Sequence, residues 1–189
     1  MRSARLALFT GGAAVFLGSG FLAARELSEV ETEIFRSLNG WPDVLRRPNW
    51  VLMLGGTFGA IPVSACAALL ARRPRLAARL AVGGTAAYVL AKVVKPAVGR
   101  GRPGNLLDDV AFRDEIGGDH GWLSGHTAVS SSLVLIAGPS LPTPLRVGAY
   151  AWATSVATGR MYAGAHLPLD IVGGAGLGMM VAAIARPAA

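Results

Sequence analysis

The sequence predicts an all-α fold, in which residues 1–189 form one integral membrane domain of six helices. Hydrophobic residues make up 52% of the chain and charged residues only 15%, whereas soluble domains carry about a quarter charged residues. Two stretches without a charge, 6–24 and 50–71, are each long enough to cross about 30 Å of hydrocarbon. This composition excludes a disordered chain or a nucleic-acid-binding tail, so we expect the bilayer, and no nucleic acid, as a partner.

The six predicted spans follow one another along the whole chain. The first two are the uncharged stretches, 6–24 and 50–71. A cleaved signal peptide is the alternative for the first, but the stretch is longer than a typical signal core and no small-residue cleavage site precedes a soluble domain. The other four are weaker because they are short or flanked by polar residues. They lie at about 76–94, 126–141, 145–158 and 168–184.

Two pairs of glycines at four-residue spacing occur within these spans. Gly55 with Gly59, and Gly174 with Gly178, suit close contact between helices. We expect both pairs to pack within one chain, so they predict no oligomeric state.

Arginines are concentrated on one side of the predicted spans. With the N-terminus inside, the inner segments contain no acidic residue, and all 11 carboxylates fall on the outer side. Because cytoplasmic loops are enriched in Lys and Arg, we expect a multi-pass protein of the inner or plasma membrane with both termini in the cytoplasm. The outer loops are then 25–49, 95–125 and 159–167. The inner basic residues are Arg2, Arg5, Arg72, Arg73, Arg75, Arg79, Arg146 and Arg186.

The first outer loop contains apolar residues at helical spacing. Ile34, Phe35, Leu38 and Trp41 stand there among charged residues. This pattern indicates a short amphipathic helix lying in the membrane interface. A solvated loop is an equally good alternative, and neither interpretation assigns chemistry to the segment.

The second outer loop begins with an unusual number of cations. Five lie where the preference for inner positive charge would keep them rare, so we infer that an anion binds there. Contact with lipid headgroups, or pairing with the acidic residues of the same loop, is the alternative. The cations are Lys92, Lys95, Arg100, Arg102 and Arg113, and the acids are Asp108, Asp109, Asp114, Glu115 and Asp119.

A second polar stretch, 121–127, directly precedes an apolar span. Ser124 suits a helix N-cap, and the amides of Gly125 and His126 would then point at an anion beyond the helix N-terminus. A cap alone is common, but a titratable imidazole at the mouth of a membrane helix is costly unless it is used.

The third stretch, 160–170, begins with Arg160. Pro168 suits the first turn of a helix, so Asp170 can reach back to His166. A carboxylate on one imidazole nitrogen leaves the other free as a base, nucleophile or ligand. A satisfied helix cap is the alternative for this pair in isolation.

Together these residues indicate metal-independent phosphoryl transfer. The chain places two histidines, one carboxylate and several cations on the outer side, without a cluster of acidic residues that would bind a metal ion. A metal site built from His and Asp is the competing chemistry, but it lacks a further ligand at helical spacing. His120 is interpreted as a rim residue without a role.

The spacing of these residues resembles the three-part signature of the type 2 phosphatidic acid phosphatase superfamily, over roughly residues 50–185. The resemblance implies a six-helix bundle with an outer-face active site and an enzyme that needs neither metal nor cofactor. The matching residues are Lys95 and Arg102-Pro103, then Ser124-Gly125-His126, then Arg160, His166 and Asp170.

The resemblance also implies a role for each residue. His166 would be the nucleophile that forms a phosphohistidine, oriented by Asp170, and His126 would be the general acid and then the base for water. The phosphate oxygens would be held by Lys95, Arg102, Ser124, the amide of Gly125 and Arg160.

Two positions depart from the family pattern. Leu123 stands where the family usually has Pro, and Gly159 where it usually has Ser, which removes one phosphate donor. Because every catalytic position is retained, we expect an altered rate or selectivity and not an inactive relative.

The expected substrate is a lipid phosphate, since a pocket between membrane helices can leave the lipid chain in the bilayer. A polyprenyl diphosphate of the undecaprenyl or decaprenyl type, or a related polyprenyl-linked phosphate, is our first expectation. A phospholipid phosphatase acting on phosphatidylglycerol phosphate or phosphatidic acid is the second. An alternative of another class is a phospholipid-binding or transport protein without hydrolysis.

Overall fold

The computed structural model describes residues 2–114 and 118–186, so Glu115 lies outside the described residues. The described residues form helices joined by turns and loops, with an isolated bridge between Gly101 and His120 and no strand. The all-α prediction is confirmed. The α-helices are α1 (Arg2–Ala23), α2 (Glu29–Asn39), α3 (Arg46–Met53), α4 (Ala60–Leu70), α5 (Pro74–Val98), α6 (Pro103–Leu106), α7 (Gly125–Ala137), α8 (Thr143–Tyr162) and α9 (Pro168–Ala185).

Three of the described helices, α1, α5 and α9, are long and apolar enough to cross a membrane. A fourth candidate is a bent pair, Asp43–Gly56 with Ala60–Leu70, whose two parts meet at 70°. Helix α7 has only 13 residues, and α8 has 20 but is less apolar. The six-span count therefore stays a prediction.

The predicted second span, 50–71, is not one straight helix. Helix α3 passes into a short 3-10 turn, Leu54–Gly56, and α4 begins only at Ala60. Glycines make this break possible because neighbouring side chains leave no room for a Cβ atom on the backbone there. A Cβ atom on Gly55 would overlap the Trp152 indole, and one on Gly56 would lie 2.7 Å from Cβ of His126. Gly55 and Gly59 therefore do not form the predicted helix-packing pair.

Helix α7 lies at the centre of the bundle, where it packs against α5, α8 and α9, and α1 covers the other side of α9. Gly174 and Gly178 allow the close approach of α9 to α7. A Cβ atom on Gly174 would lie 2.5 Å from the Ser124 carbonyl oxygen, and one on Gly178 would lie 2.7 Å from Cβ of Ser131. The prediction that this pair packs within the chain is confirmed.

The direction of the helices brings the three polar stretches to one end of the bundle. Helices α5 and α8 end there, and α7 and α9 begin there. The opposite end holds inner basic residues, since Arg73 donates to the Ser140 carbonyl at 2.6 Å and Arg186 donates to the Leu135 carbonyl at 2.7 Å. Which side of the membrane each end faces stays a prediction.

The loop after α1 contains the predicted amphipathic helix, α2. Ser28 caps its N-terminus by accepting from the Glu31 amide at 3.2 Å. Phe35 is fully buried, whereas Ile34 is 44% exposed. Helix α2 packs against α8 and α9, so its inner face covers the end of the bundle that holds the polar stretches. The solvated-loop alternative is wrong.

Candidate active site

The predicted contact between His166 and Asp170 is present. Leu167 is the N-cap of α9 and Pro168 begins it, so Asp170 lies in the first turn. Its Oδ2 atom accepts from the Leu167 amide at 2.9 Å and lies 3.3 Å from Nδ1 of His166. A proton on Nδ1, directed at the carboxylate, leaves a lone pair on Nε2 of His166.

The surroundings of His166 favour its neutral form. The residue precedes α9 and is only 3% exposed. The pKa of its side chain lies well below its ordinary value because burial disfavours the charged form, and Lys95, Arg160 and Arg102 oppose a further positive charge. A nucleophilic imidazole must be unprotonated, so this environment suits His166 to attack at neutral pH.

The N-terminus of α7 has the predicted cap. The Ser124 hydroxyl accepts from the Thr127 amide at 3.4 Å, and the Ser124 amide donates to the Asp170 carbonyl at 2.8 Å. Ser124 is fully buried. It joins α7 to α9, and its predicted direct contact with phosphate stays a prediction.

The three predicted phosphate-binding cations converge on the same place. Backbone carbonyls contact two of them. Lys95 Nζ donates to the carbonyls of His120 and Gly121, both at 3.3 Å. Arg102 donates to the Gly118 carbonyl at 2.7 Å and to the Ala165 carbonyl at 3.0 Å.

Arg160, the third cation, is buried near the end of α8. Its Nη1 atom pairs with Oδ2 of Asp114 at 2.8 Å. Within residues 2–114 and 118–186, its buried Nε atom has no hydrogen-bond partner. This N–H group can therefore donate to a bound anion. Asp114, an acid of the second outer loop, therefore pairs with a cation of the third polar stretch.

A cavity of about 360 Å³ joins these groups. His126, His166, Gly125 and all three cations line it, so the structure brings these predicted residues together. Asp170 and Ser124 are not among the lining residues. Lys92, which the sequence assigned only to the cation cluster, lines the cavity as well. The lining residues are Gly56, Thr57, Phe58, Tyr88, Ala91, Lys92, Lys95, Arg102, Asp114, Gly125, His126, Arg160 and His166.

The electrostatics of this cavity suit a phosphate group. Cations and a helix N-terminus surround two histidines, which can supply a nucleophile and a proton. Among the described residues, no group of three or more His, Cys, Asp or Glu side chains is arranged to hold a metal ion. The donors present are those that bind phosphate oxygens.

Sequence reasoning missed Glu31, a buried carboxylate on α2. It pairs with Arg100 at 2.6 Å, and Arg100 also lies 3.5 Å from Asp170. A signal was available, because Glu31 stands four positions before Phe35 and so shares the buried face of α2. His120 also has a role, since its backbone carbonyl accepts from Lys95.

Gly159 does not face the cavity. Asn49 of α3 fills the space beside it: a Cβ atom on Gly159 would overlap the side-chain oxygen of Asn49, and Asn49 Nδ2 donates to the Gly159 carbonyl at 3.3 Å. The expectation that glycine here removes a phosphate donor is therefore wrong. Leu123, the other departure, is fully buried in the core.

We expect Gly159→Ser to destabilise the protein without increasing phosphate release. The new side chain must displace Asn49, and overpacking of this kind costs about 1–3 kcal/mol. Thermal unfolding in detergent measures the loss, and Gly148→Ser on the same helix, where a Cβ meets nothing within 4 Å, is the matched control. Faster phosphate release by Gly159→Ser would show that this position does reach the substrate.

Comparison with known proteins gives a consistent result. The family model described as the PAP2 superfamily matches residues 76–188. The crystal structure of Aquifex aeolicus LpxE is similar with a TM-score of 0.76 and 22% identity, covering 85% of this chain and 96% of that one. The crystal structure of a transmembrane PAP2 type phosphatidylglycerolphosphate phosphatase from Bacillus subtilis gives 0.71 and 19%, covering 92% and 93%. No curated protein matches the sequence.

Proposed function

The chain belongs to the PAP2 superfamily of metal-independent membrane lipid phosphatases, and from this premise we propose its substrate and the role of each residue at the cavity. The observation that carries the proposal is the shared cavity of His126, His166 and three cations. A protein that only binds or transports phospholipids would not need the pair of histidines.

The first step forms a phosphohistidine. Nε2 of His166 attacks the phosphorus atom, and the bond to the leaving lipid oxygen breaks. His126, in its protonated form beside the bound phosphate anion, gives that oxygen a proton. Asp170 holds the proton on Nδ1 of His166 and stabilises the positive charge that develops on the ring.

The second step releases inorganic phosphate. His126, now neutral, takes a proton from a water molecule, whose oxygen attacks the phosphorus atom while the bond to Nε2 of His166 breaks. Both histidines then return to their starting states. The amide of Gly125 and the N-terminus of α7 stabilise the transition-state charge together with Lys95, Arg102, Arg160 and Ser124.

A polyprenyl diphosphate is the substrate we propose. The cavity is lined by Lys92 in addition to the three cations that hold the reacting phosphate, and Lys92 Nζ lies 4.5 Å from the centre of the Tyr88 ring. Lys92 stands one helical turn before Lys95 on α5, where it can meet a second phosphate. Phosphatidylglycerol phosphate is the second candidate, because a similar structure is named for that activity.

The substrate proposal is tested by phosphate release in detergent with EDTA present. The panel consists of undecaprenyl diphosphate, undecaprenyl monophosphate, phosphatidylglycerol phosphate and phosphatidic acid. We expect the highest kcat/KM on the diphosphate. A higher value on phosphatidylglycerol phosphate would instead support the second candidate.

We expect Lys92→Gln to weaken binding of the diphosphate selectively. Loss of one partly exposed charge contact should raise KM for undecaprenyl diphosphate about fivefold and KM for the monophosphate less than about twofold. Arg25→Gln is the matched control because Arg25 also lies over an aromatic ring, that of Phe21, but not in the cavity. Equal effects on the two lipids would contradict this role of Lys92.

We also propose six spans, cytoplasmic termini and an extracytoplasmic active site in the inner or plasma membrane. In a Cys66→Ser background, a cysteine replacing exposed Asp109 should react with an impermeant maleimide on intact cells. A cysteine replacing Arg146, at the other end of the bundle, should react only after permeabilisation. The reverse labelling pattern would invert the orientation.

A further inference from the structure

Glu31 is a buried acidic residue with no part in the mechanism above. It lies in the first turn of α2, and its side chain is only 5% exposed. Burying a carboxylate is costly unless it is paired and hydrogen-bonded. Glu31 meets both requirements. Its Oε1 and Oε2 atoms accept from Arg100 at 2.8 and 2.6 Å, and Oε1 also accepts from the Leu169 amide at 2.9 Å.

These contacts continue to the nucleophile. Nη1 of Arg100 bonds to Glu31 and also lies 3.5 Å from Oδ1 of Asp170. The other carboxylate oxygen of Asp170 lies 3.3 Å from Nδ1 of His166. The side chains of Arg100, Asp170 and His166 are each at most 4% exposed. One buried cation is therefore shared by two carboxylates, and the second of these carboxylates contacts the imidazole.

We propose that Glu31 is a positioning residue for the His166–Asp170 pair, acting through Arg100. Its bonds to Arg100, at 2.8 and 2.6 Å, are shorter than the 3.5 Å contact of Arg100 with Asp170. Glu31 therefore takes the larger share of the guanidinium charge, and the Asp170 carboxylate keeps more of its own charge for the imidazole. Its bond to the Leu169 amide fixes the first turn of α9, where that N–H group has no partner within the helix. The inference rests on the proposed function, since it concerns the same nucleophile.

The sharing of charge explains why the Glu31 carboxylate matters. Without the Glu31 carboxylate, Arg100 would have Asp170 as its remaining contact in this network. A buried cation with too little neighbouring negative charge is attracted more strongly to the nearest carboxylate. A closer bond between Arg100 and Asp170 would neutralise the group that stabilises positive charge on His166. The chemical step would then slow, whereas phosphate binding by Lys95, Arg102 and Arg160 would not change.

The test uses Glu31→Gln, which preserves size and removes the charge, in the full-length protein in detergent. We expect kcat for lipid phosphate to fall about tenfold with KM within about twofold of the wild type. Glu33→Gln is the matched control, because Glu33 is exposed on the same helix and should leave both constants unchanged. The decisive variant is Glu31→Gln with Arg100→Gln, which removes both charges and should recover most of the lost kcat.

The outcomes separate this inference from its premise. An inactive wild type, folded by size exclusion and thermal unfolding, would refute the proposed function itself. An active wild type with unchanged kcat in Glu31→Gln would refute the inference alone. A double variant with a kcat lower than that of Glu31→Gln would refute it too, because it would mean that the pair only docks α2 on α9. If Glu31→Gln does not fold, the double variant Glu31→Gln with Arg100→Gln provides the test. A kcat of this double variant tenfold below that of the wild type would overturn the proposal.

Discussion

His166→Ala is expected to lower phosphate release from the lipid substrate by at least about 10⁴-fold, because the variant lacks the atom that forms the covalent intermediate. His166 lines the cavity, and its Nδ1 atom lies 3.3 Å from Oδ2 of Asp170. The measurement is phosphate release in detergent, with folding checked by thermal unfolding.

The matched control for this loss is His120→Ala. His120 is the third histidine of the chain, and it reaches Lys95 only through its backbone carbonyl, which alanine retains. We expect this variant to keep most of its activity. Substantial phosphate release by folded His166→Ala would show that the nucleophile is assigned incorrectly.

His126→Gln should show the second-largest effect, a loss of about 10²- to 10⁴-fold on the lipid substrate, as expected for removal of a general acid and base. His126 follows Gly125 at the N-terminus of α7 and lines the same cavity as His166. The variant should also change which step limits the reaction. A substrate with a good leaving group needs no proton from His126, so attack by His166 continues while hydrolysis of the intermediate is slow.

The readout for this change of step is a covalent adduct. Radiolabelled phosphate from an activated aryl phosphate should accumulate on His126→Gln as acid-labile, base-stable phosphoprotein. The label should not accumulate on the double variant His126→Gln with His166→Ala. Label that persists in the double variant would place the phosphoryl group on another residue, and unimpaired lipid turnover by His126→Gln would remove His126 from the proton transfers.

Much of the site could be predicted because its geometry is local. Asp170 reaches His166 because Pro168 begins a helix between them, and Ser124 caps the helix that begins at Gly125. Such relations depend on residues within one helical turn, so spacing and residue type are sufficient to predict them.

The break at residues 54–59 could not be predicted in the same way. The stretch 50–71 has no charge and is long enough to span a membrane, so composition favours one helix. The bend depends on what lies beside it, since Gly55 is packed against Trp152 and Gly56 against His126. Hydropathy along a chain contains no information about such neighbours.

The sequence by itself determined the helical membrane class and the order of the three polar stretches. Only the tertiary structure decided which partner each buried polar group has. Glu31 and Arg100 lie 69 positions apart, and Arg160 and Asp114 lie 46 apart. The physical reason is that apolar length and helix capping are local properties, whereas the compensation of a buried charge depends on which distant side chain packing brings within bonding distance.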